Sequence, residues 1–262
     1  MMESPAKPLS HVVRQRAWAL ALLGVVLLVL AFVLPPVGQP QDYHDFADKR
    51  AWLGISNFGN VASNIGFLLA GLAGLAAMRT PAVRAMGAAT RYAYELMFLG
   101  LLLTTIGSSY YHWAPSDARL VWDRLPMTVV FMPLLAATFA ERLHWRSLLP
   151  LLALTLLGMG SVVYWKFSAN FLPYLMAQTG SILLILLALA CLPTPWSGRR
   201  LMLPALACYA IAFVCERLDV QIFHLTAGII SGHTIKHLGA AAAFYFILRM
   251  LKQQRPKTDF DQ

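Results

Sequence analysis

Residues 17–37 read AWALALLGVVLLVLAFVLPPV, twenty-one positions without a single charge or hydroxyl. A helix rises about 1.5 Å per residue and a bilayer's hydrocarbon core is about 30 Å thick, so roughly 20 such residues cross it. Seven further stretches have the same character: 60–78, 92–112, 124–141, 147–165, 172–192, 201–219 and 232–251. The expectation is an all-α membrane protein of eight spans. Composition agrees: of 262 residues, 58% are hydrophobic and 13% charged, against about 25% charged in soluble domains. Such a chain cannot clothe a water-facing surface, and its length leaves little for a second, soluble domain.

Basic residues set the orientation, because Lys- and Arg-rich loops stay in the cytoplasm. Lys7, Arg14 and Arg16 precede the first span. Alternate connectors then carry Arg79, Arg84 and Arg91, next Arg142 and Arg146, then Arg199 and Arg200, and the tail carries Arg249, Lys252, Arg255 and Lys257. Fourteen of the 21 basic residues thus fall on one side, which places both termini in the cytoplasm. The net charge of +9 therefore reads as topology and excludes a nucleic-acid patch. Arg14 and Arg16 before an apolar run also describe a signal peptide. The run is long, however, and LPPVGQPQ after it offers no small-x-small cleavage site, so a retained helix is expected. Cys191, Cys208 and Cys215 lie in apolar runs, odd in number and without metal or disulfide spacing. They read as buried thiols.

With only 12 acidic residues in the chain, each one near a span is informative, since an ionisable group there costs about 2.5–3.5 kcal/mol and usually marks function. Glu95, Asp123, Glu216 and Asp219 are such groups. Ser108 and His112 are four apart at the end of the third span and share a helix face. Asp123 opens the fourth span after a turn at Ala114-Pro115-Ser116-Asp117, and His233 and His237 lie one turn apart in the last. The topology puts all five at extracytoplasmic helix ends. Three neutral imidazoles with one open position make a catalytic zinc shell. A carboxylate can move the water proton, and a hydroxyl can hold the water or the developing oxyanion. Each element also has a plainer reading: histidines as interface anchors, Asp123 and Arg124 as an ion pair, and Gly107, Ser108 and Ser109 as small packing residues.

The pattern Ser108-x3-His112, Asp123 with Leu125-Pro126-Met127, and His233-x3-His237 resembles the alkaline ceramidases, whose superfamily includes the adiponectin-type seven-helix receptors. Asn57-Phe58-Gly59-Asn60-Val61-Ala62-Ser63-Asn64 resembles the start of that family's first core helix. The likeness covers about residues 42–251. It implies a seven-helix core with an intramembrane zinc held by His112, His233 and His237, with Asp123 and Ser108 contacting its water. It also implies hydrolysis of a ceramide-like lipid to a fatty acid and an amine. The division expected is 1–40 for the cytoplasmic N-terminus and an extra helix, 41–251 for the hydrolase domain, and 252–262 for a basic tail, in the inner (plasma) membrane of a bacterium.

The family's acidic calcium site corresponds here to Asp42-Tyr43-His44-Asp45-Phe46-Ala47-Asp48, with Asn57 where an acidic ligand is expected. Asp42, Asp45, Asp48 and Asn57 offer oxygen ligands suited to calcium, and the alternative is a solvated acidic loop. Glu216 and Asp219 either orient a metal-bound histidine or pair with Arg217 or Lys236. Trp113, Trp122, Trp145 and Trp165 read as an interfacial aromatic belt. Two other functions fit the same residues: a receptor-like or structural protein braced by zinc, and a proton-relay transporter. The transporter is disfavoured because no pair of broken helices appears in matching halves.

Overall fold

A computed structural model describes residues 9–257. Lys7 and the last residues of the basic tail lie outside this range. The described residues are helical, with no strand: α1 (His11–Val33), α2 (Phe58–Ala62), α3 (Ile65–Ala77), α4 (Pro81–Arg84), α5 (Ala88–Trp113), α6 (Asp117–Leu143), α7 (Leu149–Ser168), α8 (Leu172–Cys191), α9 (Met202–Arg217), α10 (Asp219–Leu225) and α11 (Gly232–Gln253). Every expected span coincides with a helix or, for the second, with the α2–α3 pair.

Five segments are long and apolar enough to cross a bilayer: α1, Phe58–Ala77, α6, α7 and α8. The chain is a multi-pass membrane protein. α9 has 16 residues and spans about 24 Å, short of the hydrocarbon thickness. α5 carries Arg91 and Glu95, and α11 carries Lys236, Arg249 and Lys252 along with two histidines, which lowers their apolar character.

Local chemistry explains the boundaries. Pro35-Pro36 follows α1 and cannot continue it. α6 begins seven residues earlier than expected because Ser116 caps it, its side chain accepting from the Arg119 N–H, and Asp117 opposes the positive end of the helix dipole. α9 ends at Arg217, so Asp219 begins α10 rather than closing the seventh span.

α6 is the centre of the bundle, with nineteen of its 27 residues buried. It packs on α5, α7 and α8, while α3 lies against α5 and α11, and α11 against α9. α1 is peripheral, burying only Leu20 and Ala31 and packing on α8. Many of its other apolar side chains, Trp18, Leu22, Val25, Val29 and Phe32 among them, are exposed, as lipid requires and water would not tolerate.

Apolar lipid gives helices little hydrophobic reason to associate, so close backbone packing over small residues must serve. The α5–α6 seam shows how. Pro126 and Pro133 lie inside α6 and lack an N–H, so the carbonyls of Trp122 and Val129 lose their helical partners. Both carbonyls face glycines of α5. A Cβ added at Gly107 would lie 1.9 Å from the Trp122 oxygen, and one at Gly100 would lie 2.6 Å from the Val129 oxygen. Two glycines seven residues apart thus receive two carbonyls seven residues apart, and contacts of the Cα–H···O type partly satisfy the orphaned acceptors. Elsewhere Gly74 receives the Phe98 ring, Gly66 meets Ala241, and Gly232 sits against the Cys215 carbonyl.

Candidate metal centre

At one end of the bundle α5 delivers His112 and α11 delivers His233 and His237, all buried. One ring nitrogen from each falls within 4.8 Å of the others. The Nε2 atoms of His112 and His233 are 3.3 Å apart, and ligands about 2.05 Å from a tetrahedral ion stand about 3.3 Å from one another. The three rings meet edge to face, with centroids 4.8 to 4.9 Å apart. His112 and His233 are 121 residues apart in sequence. Their convergence is the central geometric fact of the molecule. The group could hold a metal ion, and an all-imidazole set suits a borderline transition ion rather than calcium or magnesium.

The outer sides of the rings are held too. His237 Nδ1 lies 3.1 Å from the Asn60 carbonyl and 2.8 Å from Ser63 Oγ. Ser63 itself donates to that carbonyl, so Nδ1 carries the proton and Nε2 is left as a donor of electrons. His233 Nδ1 faces Glu216 Oε1 at 4.0 Å. His112 Nδ1 is buried without a partner, but its carbonyl accepts from Asn57 Nδ2 at 2.9 Å, satisfying an acceptor that the end of α5 would leave free. Such outer hydrogen bonds fix ring orientation and ligand basicity.

Ser108 and Asp123 are both buried at the same end, on either side of the Gly107–Trp122 contact. Ser108 Oγ has no hydrogen-bond partner. Asp123 stands outside the histidine group, and its Oδ2 is 3.9 Å from Arg124 Nε. The ion pair considered from sequence therefore exists, but it is a long one.

The two readings of Glu216 and Asp219 resolve differently. Glu216 accepts from Lys236 Nζ at 2.7 Å and from the Tyr43 hydroxyl at 3.1 Å, so it pairs with Lys236 while also facing His233. Asp219 touches no ring. Its Oδ1 accepts from the His233 backbone N–H at 2.7 Å and its Oδ2 from that of Ala47 at 2.9 Å. A carboxylate at the start of α11 suits the helix dipole and ties it to the loop before α2.

That loop is the long polar connector, and it lies across the histidines as a strap. Phe46 is buried, with its ring centroid 4.7 Å from that of His112 and 4.6 Å from that of His233. His44 bridges Tyr111 and Asp117, Gln41 donates to Asp117, and Val37 exchanges hydrogen bonds with Asn170 and Phe171. The residues offered as calcium ligands lie in this loop. Asp42 is exposed, Asp45 pairs with Lys49, and Asn57 is committed to the His112 carbonyl. Asp48, by contrast, is buried. It receives Arg50 Nε at 2.8 Å and Nη2 at 2.7 Å, and Nη2 also reaches the Ile229 carbonyl at 2.8 Å. These hydrogen bonds from Arg50 hold the Asp48 carboxyl below the usual carboxylate range. Of the four, Asp45 and Asp48 are thus answered by cations of the chain itself.

The tryptophan expectation also divides. Trp113 and Trp122 are exposed, Trp145 stacks on Phe139, and Trp165 is buried in a cluster with Phe46 and Tyr174. Several site residues escaped a charge-based reading. Asn60, Ser63 and Thr234 are uncharged, yet they form the hydrogen-bonded support of His237. Their signal was present in the polar positions 57, 60 and 63–64, which recur at helical spacing at the mouth of an apolar helix. Comparison with protein-family models and with curated proteins gives no match for the chain.

Proposed function

We propose that the chain is a zinc-dependent membrane amidohydrolase acting on a ceramide-like N-acyl lipid. In this reading it has eight spans, cytoplasmic termini and a site open to the extracytoplasmic leaflet. The observation that carries the reading is the meeting of three buried imidazoles from two distant segments, beside a buried carboxylate and an unpartnered buried hydroxyl. The resemblance of those residues to the alkaline ceramidase pattern points to the same chemistry.

A divalent ion bound by His112, His233 and His237 would supply Lewis acidity for the amide carbonyl and make water acidic enough to ionise near pH 7. The residues do the rest. Asp123 accepts the water proton as the C–O bond forms, then returns it to the amide nitrogen as the C–N bond breaks, releasing a carboxylic acid and an amine. Ser108, whose hydroxyl is otherwise unsatisfied, donates to the developing oxyanion. Asn60, Ser63 and Glu216 hold the imidazoles in orientation. The strap closes the water-facing side, so the acyl chain enters between helices from the bilayer.

The test is substitution in purified, detergent-solubilised protein. His112→Ala and His237→Ala should each remove bound zinc, measured by elemental analysis, and fatty-acid release together. Asp123→Asn should keep zinc and lose about 10²-fold or more in turnover. Full turnover in Asp123→Asn would refute the general-base role. A second reading, a receptor-like protein in which the ion only braces helix ends, draws on the enclosure of the rings beneath Phe46, since structural sites are closed. No release of fatty acid from any lipid amide, with stoichiometric zinc, would favour it.

A further inference from the structure

The bundle contains two buried arginines among its described residues, Arg124 and Arg142, and they are provided for very differently. Arg142, at the end of the bundle away from the histidines, donates to the Thr138 carbonyl at 3.2 Å and to Glu141 Oε1 at 3.3 Å. Arg124 has neither a carbonyl nor a carboxylate within hydrogen-bond reach. Its nearest carboxylate atom, Asp123 Oδ2, is 3.9 Å away, beyond hydrogen-bond reach. Its Nε is buried with no partner, as is that of Arg142, its Nη1 donates to the Met127 thioether at 3.7 Å, and the guanidinium also hydrogen-bonds the Tyr174 hydroxyl. A guanidinium carries five N–H donors, and burying them only partly answered is costly.

The surroundings of Arg124 are largely aromatic. Tyr43 of the strap and Tyr174 of α8 lie against the guanidinium, with ring centroids 5.0 and 5.6 Å from its central carbon. Two aromatic rings thus flank the cation, and its Nε, buried without a partner, is the donor left unanswered. A buried guanidinium with an unanswered donor fits a carboxylate or phosphate. Charge argues the same way. The second buried cation nearby, Lys236, is matched by Glu216, which also serves Tyr43. A divalent ion at the histidines would then leave the site with an excess of positive charge.

We infer that Arg124 binds an acidic group on the amine half of the substrate, so that the lipids cleaved are N-acyl amides bearing a carboxylate or phosphate close to the amide nitrogen. This rests on the amidohydrolase reading, in which Asp123 hands its proton to the leaving nitrogen. The neighbouring Arg124 then lies on the amine side of the scissile bond, within reach of a group a few bonds away. Neutral sphingoid amides lack that anchor.

The experiment compares N-lauroylglycine, N-lauroylethanolamine phosphate and neutral N-lauroylethanolamine in a non-ionic detergent, with wild type, Arg124→Gln and Arg124→Lys. Wild type should favour at least one acidic substrate over the neutral one by roughly thirtyfold in kcat/KM, the lower range for losing a buried charge-assisted pair. Arg124→Gln should bring that ratio close to one, chiefly through KM, with bound zinc unchanged. Arg124→Lys should retain part of it. Preference for the carboxylate or for the phosphate tells the two sources of the anion apart. An unchanged ratio in Arg124→Gln, or a wild type that prefers the neutral amide, overturns the inference. If none of the three is cleaved, the hydrolase reading fails, and binding decides the anion site alone. Dodecyl phosphate should raise the thermal midpoint of wild type more than dodecanol does, and Arg124→Gln should abolish the difference. Equal shifts in wild type overturn the site.

Discussion

Gly107→Ala tests whether the α5–α6 seam positions the chemistry. The new methyl carbon would stand 1.9 Å from the Trp122 carbonyl oxygen, where contacts below 3.0 Å are essentially never seen, so the seam must open by about 1.1 Å. Both atoms belong to helix backbone, and no side chain can swing aside. Overpacking of this kind costs roughly 1–3 kcal/mol, offset by about 1 kcal/mol because alanine favours helix over glycine. The matching control is Gly160→Ala on α7, where an added Cβ meets nothing within 4 Å and only the helical gain remains. Thermal unfolding in detergent should therefore move in opposite directions, down by several degrees for Gly107→Ala and up slightly for Gly160→Ala. Gly107 sits next to Ser108 and Trp122 next to Asp123, so the opening also separates hydroxyl from carboxylate. A displacement near 1 Å costs about 10²-fold in rate, and fatty-acid release by Gly107→Ala should fall by that order while zinc content, set by α5 and α11, falls less. Equal midpoints and equal turnover for the two variants would show that the glycine–carbonyl contact does not set the geometry.

Two further outcomes follow from the outer parts of the site. Phe46→Ala removes the ring lying over His112 and His233 and should speed zinc loss to a water-soluble chelator, followed by elemental analysis over time; an unchanged rate would mean that the strap does not guard the site. The Asp48–Arg50 clamp gives a pH dependence whose sign is fixed, because a carboxyl held below its unfolded value of about 3.9 contributes stability that is full above that value and lost as pH falls through the lower folded one. Protease cleavage within residues 34–57 should accordingly appear only as pH drops below about 4, and Arg50→Gln should show it at neutral pH; identical digestion of the two proteins across pH 3–7 would remove the clamp.

The helices were legible because apolar runs of bilayer length admit few other structures, and the histidines because polar residues at matched helix ends are too costly to be incidental. What the chain alone withheld came from pairing in space. Arg124 next to Asp123 looks like an ordinary surface ion pair in sequence, yet the fold buries both and leaves them 3.9 Å apart. Arg142 looks like a cytoplasmic loop marker, and it lies buried against Glu141, which hydrogen-bonds Thr194. Asp48 looks like one of several oxygen ligands, but Arg50 answers it from two residues away. Trp165 follows the spacing of an interface tryptophan and is covered by the strap's own cluster. In each case the partner's position, not the residue type, decided the role.

The seam and the strap together explain why this end of the bundle can hold a reactive group at all. A membrane helix pair bound only by side-chain contacts can slide, and sliding would carry His112 and Ser108 past Asp123. Two proline-freed carbonyls seated on two glycines set the axial register as well as the distance, since a shift of one turn would drive a carbonyl into Leu103 or Thr104 of α5. The third member, α11, is fixed from outside that pair: Gly232 fits against the Cys215 carbonyl, Asp219 holds the His233 N–H, and the Asn60 carbonyl takes His237 Nδ1. Because α2, the strap and α10 all contribute to that fixation, the imidazoles need not find one another through the ion. On the proposed function, removing the bound ion by chelation should therefore leave the helical circular-dichroism signal and the α5–α6 packing in place.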